Sequence, residues 1–120
     1  MELIKIINAR NVLDSFANRE SMGAHLSYWM TKFVVKTASE QEFYTTEMRK
    51  LVNKYADNQE GGTLLVSADK VPEFNAAIDT LNNTDVEDPG IRFSLSELSA
   101  ELKLSMKQMY PLLDFIDEDK

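Results

Sequence analysis

The chain has 120 residues, 43% of them hydrophobic and 28% charged, and its formal net charge at pH 7 is -7. This length and composition are typical of one folded domain spanning residues 1–120. The absence of cysteine excludes disulfides, thiolate metal sites and cysteine nucleophiles. No run approaches the roughly 20 apolar residues of a membrane span, and the acidic start is unlike a signal peptide, so we expect a soluble, cytoplasmic protein.

The negative charge lies in the second half of the sequence. Residues 1–60 contain eight Lys or Arg and eight Asp or Glu, whereas residues 61–120 contain five and twelve. An acidic surface repels phosphate backbones, so direct nucleic-acid binding is not expected. Two interpretations stay open: a solvated face that maintains solubility, or a surface that docks on a basic partner, with Asp85, Glu87 and Asp88 as candidate residues.

The N-terminal residues carry two predicted elements. Residues 2–7 are rich in Ile with partial alternation, which favours a short strand. Asn8 can then cap a helix over residues 9–18, with Val12 and Phe16 on one face. A polar break with a glycine follows and ends this helix.

A long apolar stripe dominates the first half of the sequence. It recurs at helical spacing from about Gly23 to Ala56, which predicts one continuous helix of about 50 Å at a rise of ~1.5 Å per residue. Residues 37–42 are polar, so a break near Ala38 is the alternative. The stripe consists of Leu26, Met30, Phe33, Thr37, Tyr44, Met48, Leu51 and Tyr55, widened by Trp29, Val34 and Val52.

The second half predicts short elements separated by turns. A loop at residues 57–62 leads to a strand at 63–67. Asp69 is expected to cap the next helix, whose first turn tolerates Pro72. A second loop spans residues 82–90. The helix between the loops is expected to bury four apolar residues: Phe74, Ala77, Ile78 and Leu81.

The C-terminal third carries helix-start and helix-stop signals. Residues 91–93 suggest a third short strand, and capping-box patterns begin at Ser94 and Ser105. Pro111 is expected to divide the second of these helices, because it lacks an amide hydrogen-bond donor. The two helices echo a helix-turn-helix over residues 95–115. The second helix has few basic side chains and an acidic end, which favours two helices packed on the core over a DNA-binding recognition helix.

Together these elements predict an α+β fold dominated by helices. One long N-terminal helix is joined to a small unit of short strands and short helices. We expect a single domain in which residues 1–56 form a helical arm and residues 57–120 form an acidic α+β portion.

The sequence carries no recognisable catalytic motif, and we expect no enzymatic activity, cofactor or metal. His25 is the one histidine and has no acid four residues along its helix, so an ordinary surface histidine is expected. Glu97 and Glu101 could hold a cation, but solvated acids are the better interpretation, because a calcium loop needs a set oxygen spacing. Gly61 and Gly62 precede a strand instead of a helix, which does not make a phosphate loop.

The aromatic and methionine side chains of the long stripe are candidate partner-binding residues. They are Trp29, Met30, Phe33, Tyr44, Met48 and Tyr55. Burial within the domain is the default for such a stripe, although Trp, Tyr and Met are also enriched at protein interfaces. A helix this long outruns a small domain, so a homo-oligomer or another protein is expected to cover its far half.

The order of several features carries a family resemblance. These features are an Ile-rich start, Ser21 opening a long helix that ends at Lys54-Tyr55-Ala56, a glycine-containing loop, Pro72-Glu73-Phe74-Asn75 before an apolar helix, and Leu95-Ser96-Glu97-Leu98. In this order the chain resembles a family of small phage and prophage proteins of unknown function. It departs from that pattern after Ser21, where Met22-Gly23-Ala24-His25 replaces expected basic residues, so charge-based binding at that point is not carried over. The resemblance implies a phage or mobile-element origin and no established activity.

These observations predict a non-enzymatic phage or prophage protein that acts by protein–protein interaction, in particle assembly or as an accessory component. One alternative is an inhibitor of a host defence complex, with the acidic half occupying a basic groove that normally holds nucleic acid. A weaker alternative is a small DNA-binding regulator. The expected location is the host cytosol, without membrane contact.

Overall fold

The computed structural model describes residues 1–58 and 64–117. They form six α-helices, one 3₁₀ helix and four short strands, which together span 51 × 31 × 25 Å. The helices are α1 (Leu3–Asp14), α2 (Ala24–Lys36), α3 (Ala38–Tyr55), α4 (Val71–Asn82), α5 (Leu95–Glu101), α6 (Met106–Met109) and the 3₁₀ helix (Tyr110–Phe115). The strands are β1 (Ala56–Asn58), β2 (Leu64–Val66), β3 (Phe93–Ser94) and β4 (Ile116–Asp117). No helix of the described ranges is long and apolar enough to cross a membrane.

α1 occupies the region where a strand was expected, so the strand prediction for residues 2–7 is wrong. Asn8 lies within this helix and does not cap it. A short apolar run is compatible with a buried strand or with a helix that is covered on most sides, and the second case applies here. Only Glu2 keeps a strand-like contact, an isolated antiparallel bridge to Asp85.

α1 lies between two hydrophobic clusters. In the smaller cluster, Leu3 and Ile7 of α1 pack with Leu81 of α4. Tyr44 and Met48 of α3 lie at its edge. The larger cluster joins the other side of α1 to α2, α5 and the 3₁₀ helix, and its buried members are Ile6, Ala9, Val12, Leu13, Phe16, Leu26, Met30, Phe33, Ile91, Phe93, Leu98, Leu102, Leu112 and Phe115. The first helix therefore supplies side chains to both parts of the core.

The single helix predicted from Gly23 to Ala56 is not confirmed, because the structure divides this region at Thr37 into α2 and α3. Thr37 is buried, and its backbone leaves the helical region at φ −104° and ψ 13°. Arg10 of α1 donates from Nη1 to the Val34 carbonyl (2.6 Å) and to Thr37 Oγ1 (2.8 Å). In an unbroken helix that carbonyl accepts the amide four residues later. A side chain from another helix therefore competes for this acceptor and favours the division.

β1 and β2 form a small antiparallel sheet, in which Ala56 lies opposite Val66. The strand predicted at residues 63–67 is confirmed over Leu64–Val66, whereas Ser67 lies outside it. Asp57 was expected in a loop but belongs to β1. The remainder of that loop, residues 59–62, lies outside the described residues.

α4 follows this sheet and is confirmed, with Pro72 in its first turn. Its N-cap residue is Lys70, so the predicted cap at Asp69 is wrong. Phe74 packs against Tyr55, with ring centroids 5.9 Å apart in an edge-to-face arrangement. Of the four apolar residues expected to be buried, Leu81 is buried and Phe74, Ala77 and Ile78 are half-buried. One face of α4 thus covers the far part of α3.

The C-terminal elements follow the predicted capping signals. Ser105 and Gln108 form a capping box: the Ser105 amide donates to Gln108 Oε1 (3.0 Å) and the Gln108 amide donates to Ser105 Oγ (3.2 Å). Ser94 caps α5 by accepting the Glu97 amide (3.2 Å). α6 changes to a 3₁₀ helix next to Pro111, as expected for a residue that interrupts α-helical bonding. β3 pairs in parallel with β4, so the fold is helix-dominated with two small sheets, in agreement with an α+β class.

Candidate functional site

Three large apolar side chains stand out as exposed on α6 and the 3₁₀ helix. Met106 is 90% exposed, Tyr110 76% and Leu113 55%. Intervals of four residues in an α-helix and three in a 3₁₀ helix place them along one side of this segment; we name these three residues the apolar ridge. Leu112 and Phe115 lie on the opposite side and are fully buried. The segment is therefore apolar on two sides, and only one of them contributes to the core.

The apolar ridge is held in place by its own segment. The capping box at Ser105 fixes the start of α6, and Pro111 restricts the backbone at the start of the 3₁₀ helix. On the buried side, the Phe115 ring lies 4.9 Å from the Phe33 ring in an edge-to-face arrangement. A partner that binds the ridge would find it already ordered, which lowers the entropy lost on association.

A groove of about 360 Å³ lies beside the apolar ridge, between α1 and the 3₁₀ helix. Half-buried Ile4 supplies apolar lining, and Lys5 Nζ lies 3.7 Å from Asp114 Oδ1 across it. Its lining residues are Glu2, Ile4, Lys5, Asn8, Tyr110, Pro111, Leu113 and Asp114. Because Tyr110 and Leu113 belong to both features, ridge and groove form one continuous surface. Such a surface can receive a helix or an apolar side chain from a partner.

Two of the predicted partner-binding residues lie in the core. Met30 and Phe33 are buried in the larger cluster, and the Phe33 ring contacts Phe93 (5.9 Å between centroids) as well as Phe115. Their assignment to a partner surface is corrected on this ground, since α1, α5 and the 3₁₀ helix already cover this side of α2.

Three further residues of the stripe are half-buried against their own chain. The Tyr44 hydroxyl donates to Asn82 Oδ1 (3.0 Å), and burial raises the pKa of this phenol. Met48 packs at the edge of the smaller cluster, and Tyr55 contacts α4. α1 and α4 therefore cover the far half of the stripe in part, and no residue of α3 is fully buried.

Trp29 is the member of the stripe that remains at the surface. Its side chain is 37% exposed, and its ring meets Tyr28 edge to face at 5.3 Å. It lines a cleft of about 160 Å³ together with His25, Arg92, Phe93, Ser94, Glu97 and Asp117.

The cleft beside Trp29 contains a histidine–glutamate pair. His25 Nδ1 lies 2.7 Å from Glu97 Oε2, so the acid that is missing from its own helix comes from α5. The His25 side chain is 71% exposed, and solvent screens such a pair. Next to it, Glu101 accepts the Gly23 amide (2.7 Å) at the start of α2, where the helix dipole favours a carboxylate. Both glutamates therefore attach α5 to α2, and we assign no reaction to them.

The acidic candidate residues are partly paired within the chain. Asp85 accepts a hydrogen bond from the Met1 amino group (2.8 Å), and this bond and the ammonium charge lower the pKa of the carboxyl group. Asp88 accepts two bonds from Arg92 (2.6 and 3.1 Å), which lower the pKa of Asp88 to about 2. Glu87 is exposed. Less negative charge is therefore free for a basic partner than the composition suggests.

The apolar ridge was not among the binding residues predicted from the sequence. A usable signal was present, because Met106, Tyr110 and Leu113 repeat at helical spacing beside a second set at Leu112 and Phe115. Within residues 1–58 and 64–117, no three His, Cys, Asp or Glu side chains come together in a way that could hold a metal ion. No family model, curated protein or solved structure matches the chain.

Proposed function

We propose that this chain is a non-enzymatic protein of phage or prophage origin that acts by binding another protein. The binding serves particle assembly or an accessory role in the host cytosol. The observation that supports this proposal is the apolar ridge, whose three large side chains are exposed within a span of eight residues. Exposed apolar side chains grouped on one surface, with a tyrosine among them, are characteristic of binding sites.

The apolar ridge is a better candidate than the surfaces expected from the sequence. Met30 and Phe33 are already buried, and the partly exposed Trp29 lies in a small cleft of mixed charge. Asp85 and Asp88 are paired inside the chain, which weakens the case for an acidic loop that mimics nucleic acid. Binding through the ridge depends on none of these residues.

Photo-cross-linking in cells that carry the gene tests this proposal. A photoreactive amino acid replaces Lys107, which lies within the segment of the apolar ridge, and mass spectrometry identifies the protein in each adduct. The ridge variant Tyr110→Ser/Leu113→Ser should reduce the adduct at least tenfold. Tyr28→Ser is the matched control, because Tyr28 is also an exposed aromatic residue but lies on α2. Adducts that survive the ridge variant, or a folded protein without any protein adduct, would contradict the proposal.

Gene neighbourhood tests the assigned role separately. Head or tail genes beside this gene would support assembly, whereas a group of early genes would favour inhibition of host defence. Neither outcome changes the expected effect of the ridge variant.

A further inference from the structure

We infer that the protein bound by the apolar ridge is a second copy of this chain. The two ridges lie antiparallel across a two-fold axis near Tyr110. This inference rests on the proposed function, because it names the partner of the same surface.

The charges along the ridge segment favour an antiparallel arrangement. Lys107 stands near its beginning, with Lys103 three residues before α6, and Asp114 stands near its end, where it also faces Lys5 of its own copy. These lysines and Asp114 are exposed, and in an antiparallel pair Lys107 of one copy approaches Asp114 of the other. The two-fold axis repeats this contact at both ends of the interface. A parallel pair would place like charges together, which is unfavourable.

The shape of the surface is also self-complementary. The apolar ridge projects next to the groove of about 360 Å³ that Tyr110 and Leu113 partly line. In a two-fold interface each copy presents the same patch, so a projection and an adjacent hollow can fit each other reciprocally. Tyr110 of each copy would enter the groove of the other and contact Ile4, with Asn8 nearby as a hydrogen-bond partner for its hydroxyl group. Both copies then remove their exposed apolar side chains from water.

The size of the surface predicts weak association. The three ridge side chains expose on the order of 400 Å² per copy, whereas a stable interface buries about 800 Å² per partner. The net charge of -7 on each copy also opposes their approach. We therefore expect weak association, as in a transient dimer or in one contact within a larger assembly.

Sedimentation equilibrium of the full chain, from about 10 µM to about 1 mM, measures this association. Lys103→Glu/Lys107→Glu should weaken it at least tenfold at low salt, and about 1 M NaCl should largely restore it, because the Debye length falls to about 3 Å. A misfolded variant would not recover in salt. The control Lys32→Glu/Lys36→Glu adds the same net charge at exposed positions on α2, so it measures the general repulsion alone and should weaken association clearly less than Lys103→Glu/Lys107→Glu.

Engineered cysteines test the orientation, since the natural chain has none. Lys107→Cys and Asp114→Cys lie three and four residues from Tyr110 within the helical segment, so the antiparallel arrangement places them near each other across the interface. A mixture of the two variants should form a disulfide-linked dimer under mild oxidation, and Lys107→Cys alone should not. Efficient self-linking of Lys107→Cys would overturn the antiparallel arrangement.

The two proposals fail in different ways. A chain that stays monomeric at about 1 mM, while its ridge still forms adducts with a different protein in cells, would overturn the second-copy inference and leave the proposed function standing. A monomeric chain without protein adducts would overturn both. Adducts that consist of two copies of this chain support both.

Discussion

Phe33 is expected to stabilise the fold as a core residue, and Phe33→Ala measures how much. The side chain is fully buried, and its ring lies 4.9 Å from Phe115 and 5.9 Å from Phe93. Replacing a buried phenylalanine by alanine costs about 3–5 kcal/mol, because it removes apolar contacts and leaves a cavity. We expect about 4 kcal/mol, since two neighbouring rings lose their packing. A domain of this kind has about 5–15 kcal/mol of stability in total.

Urea unfolding followed by the fluorescence of Trp29, the one tryptophan, measures this loss. For a core residue, the difference in the free energy of unfolding between variant and parent is the same at ~2 µM and ~20 µM protein. For an interface residue, this difference depends on the protein concentration. Phe33→Leu keeps most of the side-chain volume and should lower the free energy of unfolding by about 1–1.5 kcal/mol. This milder variant tests the packing of Phe33 if the alanine variant does not fold. Tyr110→Ala should change stability by less than about 0.5 kcal/mol. A loss below about 1 kcal/mol for Phe33→Ala would refute the assignment of Phe33 to the core.

Two more predictions concern polar contacts. A methyl group at Gly23 would overlap the Glu101 carboxylate, so Gly23→Ala should lose the charged hydrogen bond between them. This loss destabilises the fold by about 1.5–3 kcal/mol. The lower entropy of the unfolded alanine chain offsets about 0.4–1 kcal/mol of it. Thermal unfolding should show a net loss of about 1–2 kcal/mol, and Glu101→Gln, which keeps an acceptor, should lose less. Arg92 lowers the pKa of Asp88 from 3.8 to about 2. The stabilisation of the folded state by the ionised Asp88 is therefore present above pH 4 and is lost as the pH falls towards 2. Asp88→Asn should remove this part of the pH dependence of the free energy of unfolding, whereas Glu87→Gln should retain it. The effect is about 1 kcal/mol at most, because the Asp88 side chain is 40% exposed and solvent screens its charge.

Local signals in the sequence predicted local structure well. The hydroxyl and amide at Ser105 and Gln108 are three residues apart, so a capping box depends on nothing outside that turn. Pro111 lies six residues after Ser105, and a proline beyond the first turn interrupts α-helical bonding because it has no amide proton. Pro72 stands in the first turn of α4, where its missing amide proton costs no helical bond, so this helix was predicted correctly although its cap was not.

Contacts between distant residues account for the errors. The division at Thr37 agrees with the alternative that the polar residues 37–42 suggested. The contact that Arg10 makes there comes from 27 positions away, and the apolar spacing of residues 24–55 does not reveal it. The acid that pairs with His25 is 72 positions away. The Ile-rich start looked like a strand because periodicity alone does not reveal that a helix will be covered on opposite sides.

Contacts between distant residues also limit what the sequence reveals about the candidate site. Apolar spacing is the same kind of signal for Met30 as for Tyr110 and Leu113, and it does not distinguish a buried helical face from an exposed one. Which face becomes buried depends on how α1 and the 3₁₀ helix pack, and that packing is a property of the whole fold. Met30 was therefore taken for a binding residue, and the apolar ridge was overlooked.

The position of α1 has a consequence for how the chain folds during synthesis. The Leu3 amide donates to the Thr84 carbonyl (2.9 Å), and the larger cluster is completed only by residues as late as Phe115. The ribosome therefore releases this apolar helix long before its partners exist, and closing so long a loop slows the search for them. Until Phe115 has emerged, α1 is the segment that a nascent-chain chaperone would be expected to hold.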